Sequence, residues 1–125
     1  MRLLLFVLGS FATTSAWAQD VALACNYEWA TNDKAERVRT SGDVSFLVHF
    51  TSDAEVQARG TKCGDLTGTA TEVEIKIGCK YQQGGFAVTE DFYIDRVSGK
   101  MQAFWKYGDA GLVYEGHCVV TKPLF

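Results

Sequence analysis

Two stretches of this chain are written in a two-residue period. Val44, Phe46, Val48 and Phe50 alternate with Ser45, Leu47 and His49, and Val73, Ile75, Ile77, Cys79 and Tyr81 alternate with Glu74, Lys76, Gly78 and Lys80. Neighbouring side chains of a strand point to opposite faces, so such a pattern buries one face and wets the other. Further strands are expected over residues 23–29, 86–95, 101–107 and 112–120, with a weaker one over 55–58. Turn formers stand between them: Ser41 with Gly42, Gln83 with Gly84 and Gly85, Ser98 with Gly99, and Gly108 to Gly111 at a hairpin tip. Residues 31–38 offer a turn or two of helix capped by Asn32 or Asp33, and the threonine-rich segment 65–72 reads as a polar loop. Strands at this spacing imply an all-β fold, a small antiparallel sandwich or barrel of six to eight strands.

Residues 1–18 read as a signal peptide. Arg2 supplies the positive charge, Leu3 to Phe11 the apolar stretch, and Ala16 and Ala18 flank Trp17 as an A-x-A cleavage site. Leu23, Ala24 and Cys25 offer a lipoprotein-like site as the alternative, but the charged Asp20 interrupts the approach to it and lipidation of Cys25 would leave an odd thiol. Residues 19–125 then form a single β-domain in the periplasm or outside the cell, where disulfides persist. Its four cysteines, Cys25, Cys63, Cys79 and Cys118, allow three pairings. Cys25–Cys118 with Cys63–Cys79 is preferred, tying the first strand to the last and closing the polar loop.

A formal net charge of −3 argues against nucleic acid as a partner. Beyond the leader no apolar run is long enough to span a membrane. The cysteines contain no C-x-x-C unit, and His49 and His117 lack ligands at helical or turn spacing, so neither a metal nor a cofactor is expected. Glu90, Asp91 and Asp95 are the nearest thing to a carboxylate pair. Adjacent strand residues face opposite ways, and Asp91 lies about 13 Å from Asp95 at strand rise, so a solvated strand face is the better reading. No nucleophile elbow accompanies the histidines. The chain is therefore read as non-catalytic.

The aromatic residues point to binding. Tyr27 and Trp29 are expected to share one strand face, whereas Phe104 and Trp105 must face opposite ways. Trp105 and Tyr107, with Arg96, Ser98, Lys100 and Lys106 on the same hairpin, form the expected binding surface over residues 96–112.

The order Ile94-Asp95-Arg96, then Ser98-Gly99, then Gly116-His117-Cys118 resembles a pattern in small exported proteins of Gram-negative bacteria that have no assigned activity. That likeness implies export and a β-fold. A second likeness runs through Ser98-Gly99-Lys100, Phe104-Trp105-Lys106, Gly108-Asp109-Ala110 and Cys118, which is similar to the order in periplasmic inhibitors of C-type lysozyme. The chain departs from it at Met101 and Gln102, where the loop tyrosine is missing, at Tyr107, and in its two extra cysteines. It implies an eight-stranded barrel whose Ser98 and Lys100 enter the lysozyme cleft, with Lys106 supporting them. The expected function is an exported binding or inhibitor module acting on lysozyme or another envelope protein, with a small hydrolase or an apolar-ligand carrier as alternatives. Oligomeric state is not legible.

Overall fold

The computed structural model describes residues 20–60 and 63–123, so the leader lies outside the described residues. Nine strands make one antiparallel sheet: β1 (Asp20–Asn32), β2 (Arg37–Arg39), β3 (Asp43–Phe50), β4 (Glu55–Gly60), β5 (Gly64–Ala70), β6 (Glu74–Gln83), β7 (Phe86–Asp95), β8 (Lys100–Tyr107) and β9 (Ala110–Pro123). Pairing of β1 with β9 closes the sheet on itself. Closure leaves no long edge for a second chain to extend.

β2 does not add a position to the barrel wall. Along one edge of β1, β3 pairs with Asp20 to Asn26 and β2 with Trp29 to Thr31. Tyr27 N–H donates to the Gly42 carbonyl at 2.9 Å and Thr40 N–H to the Glu28 carbonyl at 3.0 Å, carrying the chain across the gap. The barrel therefore has eight positions, one of them filled by a broken strand.

The two-residue period decides what goes inside. Val44, Phe46 and Val48 of β3 are buried between exposed neighbours, as are Val56 and Ala58 of β4. β6 and β7 send in Ile75, Ile77, Phe92 and Ile94, and β8 sends in Met101 and Ala103. Phe46 and Phe92 meet edge to face at 4.8 Å in the middle of this core.

Both preferred disulfides form. Cys25 and Cys118 are direct partners in the β1–β9 ladder, so their bond staples the closing seam. Cys63–Cys79 has a different job. β5 and β6 pair only from Thr67 to Ala70 against Gly78 to Ile75, and beyond that the ladder stops. The disulfide bridges the parting strands.

Two expectations are corrected. Segment 65–72 is largely strand: Leu66 and Ala70 of β5 reach the core, and Gly68 lets the Lys76 carbonyl come closer than any side chain would allow. Two apolar anchors in seven residues were too few to signal a strand by periodicity. Segment 31–38 holds no helix. β1 continues to Asn32, whose Oδ1 accepts N–H bonds from Lys34 and Glu36 and folds the chain back into β2. That local side-chain bond competes with helix formation.

Candidate functional site at the barrel mouth

The surface expected over residues 96–112 divides in two. Arg96, Ser98 and Lys100 lie at the start of β8, and Trp105, Lys106 and Tyr107 at its other end. Strand rise alone puts Lys100 and Tyr107 about 23 Å apart. Within β8, Met101 and Ala103 are buried and Trp105 is half-buried on the same face, while Phe104 and Lys106 point outward. Trp105 therefore does not share a surface with Lys106.

The β7–β8 turn is short and held by its own side chains. Asp95 Oδ1 accepts the N–H groups of Val97 at 2.8 Å and Ser98 at 3.0 Å, and Ser98 Oγ accepts Lys100 N–H at 3.1 Å. Gly99, at a φ of 82°, completes the turn. Bonding from the Ser98 and Val97 backbones holds the Asp95 carboxyl below its ordinary value, with Lys100 adding a smaller pull. A depressed carboxylate favours the folded turn above its unfolded pKa and loses that effect as pH falls through the folded value. The protection of the Ser98 amide, its exchange rate relative to that of an unstructured amide at the same pH, should accordingly fall as the medium is acidified below the usual carboxylate range. In Asp95→Asn that pH dependence should vanish; a wild-type amide whose protection is insensitive to acid would contradict the assignment.

At the other end of β8 the interior stays open. Tyr27 of β1, Tyr81 of β6, Glu90 of β7, Trp105 of β8 and Tyr114 of β9 line a cavity of about 460 Å³. The Ser41 and Gly42 corner between β2 and β3 forms part of its rim. Glu90 is 7% exposed and is the one buried charged residue of the described chain. Tyr81 hydroxyl donates to Glu90 Oε2 at 2.7 Å. Tyr27 stacks on Tyr114 with ring centroids at 4.7 Å, and Trp105 meets Tyr107 edge-on at 5.7 Å. Tyr107 in turn donates to the Gln83 carbonyl at 3.2 Å and packs against Phe86, locking the two hairpins that shape this end.

Burial, then the charge of Glu90, then Tyr114, push the Tyr27 hydroxyl up to about 12. The Tyr81 hydroxyl is also raised, first by its bond to Glu90. A raised tyrosine stabilises the fold below its unfolded pKa, near 10, and the effect drains away as pH climbs toward the folded value. Urea midpoints should thus fall between pH 10 and about 12, and Tyr27→Phe should fall less over that interval. Equal slopes for the two proteins would rule out Tyr27 as the source.

Three readings of individual residues change. Glu90 is not on a solvated face: it shares the inward parity of Val88 and Phe92, and only Asp91 and Asp95 point out. Tyr27 and Trp29 do not share a face either. Tyr27 stays inward with Cys25, and a bulge between Tyr27 and Trp29 shifts the β1–β9 register so that Trp29 turns outward. There Trp29 lies under the guanidinium groups of Arg37 at 4.0 Å and Arg39 at 4.9 Å, with Arg37 also bonded to Glu115. Tyr81 and Tyr114, which the sequence reading did not single out, belong to the mouth. Their signal was available: both lie on the inward parity of their strands, Tyr81 in line with Ile75 and Ile77 and Tyr114 in line with Cys118.

His49 and His117 stand on the outer face, paired with Asp20 and Glu28. Among the described residues no cluster of three or more His, Cys, Asp or Glu side chains could hold a metal ion. Nor does any helix there have the length and apolarity to cross a membrane. No family model, no curated protein and no solved structure matches the chain.

Proposed function

We propose that the chain is an exported, non-catalytic binding module that holds its ligand at the aromatic mouth. The observation that carries this reading is a buried glutamate set among tyrosine and tryptophan rings in an open cavity of about 460 Å³. Small-ligand sites occupy roughly 300 to 1,000 Å³, combine aromatic walls with a few placed polar groups, and favour the mouths of β-barrels. The two disulfides fit an oxidising compartment, periplasmic or extracellular. A purely apolar carrier fits less well, because Glu90 and the tyrosine hydroxyls face the space a lipid tail would fill.

Lysozyme inhibition through Ser98 and Lys100 is the second reading, favoured by their exposure on the β7–β8 turn. Because turn and mouth lie at opposite ends of β8, single substitutions separate the two. An immobilised oxidised chain would be exposed to C-type lysozyme and to an envelope extract, with proteins and small molecules both identified in the eluate. Retention lost in Trp105→Ala and kept in Lys100→Ala supports the mouth. The converse pattern supports the turn and overturns the mouth, and so does retention of nothing beyond what a reduced, unfolded chain retains.

A further inference from the structure

The mouth is built around a negative charge that the protein leaves uncompensated. Of the described residues lining the cavity, Glu90 alone carries a charge, and neither lysine nor arginine reaches it. The basic residues of the neighbouring strands point elsewhere: Lys80 and Lys106 are exposed on outward positions, and Arg96 and Lys100 belong to the far turn. Tyr81 satisfies Glu90 Oε2, and among the described residues it is the only hydrogen-bond partner of that carboxyl. Oε1 is left to whatever occupies the cavity.

Among the described residues no side-chain oxygen is both sealed from solvent and without a partner, so the free oxygen of Glu90 opens on the cavity, where a cationic donor can meet it. The surroundings add a second preference of the same sign. Tyr27, Tyr114 and Trp105 line the same cavity as the carboxylate, and aromatic rings attract cations within about 6 Å of their centroids. A divalent metal is poorly served, since one carboxylate is the whole set of strong ligands and no three-residue cluster is present among the described residues. An anion or a neutral apolar tail would leave the charge unmet.

We propose that the mouth binds an organic cation, a primary ammonium or a guanidinium group, whose N–H donors meet Glu90 Oε1 while Tyr27, Tyr114 and Trp105 enclose its carbon stem. This rests on the mouth being the ligand site. The cation arrives either on a free small molecule or on a lysine or arginine side chain of a partner, and the chemistry at Glu90 is the same for both.

The test follows the Trp105 indole N–H resonance of the full oxidised chain, assigned by its loss in Trp105→Phe. Butylguanidinium and butylammonium should shift it saturably, whereas 1-pentanol and butyrate should not. In Glu90→Gln, which keeps an acceptor for Tyr81, cation affinity should fall by about tenfold or more. Trp105→Phe provides a second variant, followed through a tyrosine resonance, in which the aromatic wall is kept and binding should persist. An acetylated Gly-Arg-Gly amide distinguishes the sources: binding as tight as butylguanidinium points to a partner's side chain, and exclusion points to a free small molecule. Equal binding of pentanol and butylguanidinium, unchanged in Glu90→Gln, would overturn the cation and leave the mouth as the ligand site. No perturbation by any probe would overturn both.

Discussion

Replacing Cys25 and Cys118 together by alanine should lower stability by about 4 to 5 kcal/mol. Their bond joins residues 93 positions apart, so it removes more freedom from the unfolded chain than any other link present. The loop-entropy relation gives about 4.6 kcal/mol for that closure and about 3 kcal/mol for the 16-residue separation of Cys63 and Cys79. Both seam cysteines are also in the core, 1% and 6% exposed, so truncation to alanine adds lost packing. A domain of this size has about 5 to 15 kcal/mol in all, so this bond accounts for about a third of that or more. The Tm of the Cys25/Cys118 variant should drop by roughly 20 °C or more, and urea unfolding of the two double variants measures both differences. A Cys63/Cys79 variant that loses as much as the seam variant would show that the length of chain each bond encloses does not set their relative contributions.

That staple was legible because cysteine count, the expected oxidising compartment and strand order all constrain one another. So were the strands with alternating apolar residues: β3, β6, β7 and β8 fall within a residue or two of where the period puts them. β5 was not, because Gly68 and three of its neighbours carry short polar or no side chains, and its place is set by the tertiary approach of Lys76. Periodicity sees side chains. A strand defined by how closely its backbone is approached leaves little trace in it.

The site was half legible, for a similar reason. Trp105 was marked by its conflict with Phe104, since alternation forces one of them off the core, but it was expected on the outer binding face and it is Phe104 that stands there while Trp105 turns in. Its companions come from β1, β6, β7 and β9, and bringing them together requires the barrel to close. Tyr27 keeps the inward parity of Cys25, and it is Trp29 that a bulge beside Glu28 turns away, a one-residue slip that reverses the side chains after it. Glu90 looked like one of three acids on a strand; only the knowledge that Val88 and Phe92 are interior turns it from surface charge into buried carboxylate.

Phe92→Ala should be the most damaging single truncation in the barrel, at about 3 to 5 kcal/mol. The ring is 2% exposed, meets Phe46 edge to face at 4.8 Å, and lies two positions from Glu90 along β7. Removing it loses the transfer free energy of a buried aromatic, about 0.5 to 1.5 kcal/mol of ring–ring geometry, and leaves a hole that strands tied into a closed ladder cannot collapse to fill. Phe104→Ala is the matched control. That ring stands on the outer face of β8, 39% exposed, against Tyr93 at 5.4 Å, and its loss should cost about 1 kcal/mol or less. Chemical denaturation of the two variants gives the comparison directly. Because Phe92 also lines the mouth cavity, its truncation deepens the space beneath Glu90, and affinity there should weaken together with stability. Equal losses for Phe92 and Phe104 would mean that the interior of the barrel is not its main source of stability. The rigid wall on which the position of Glu90 depends would then need another origin.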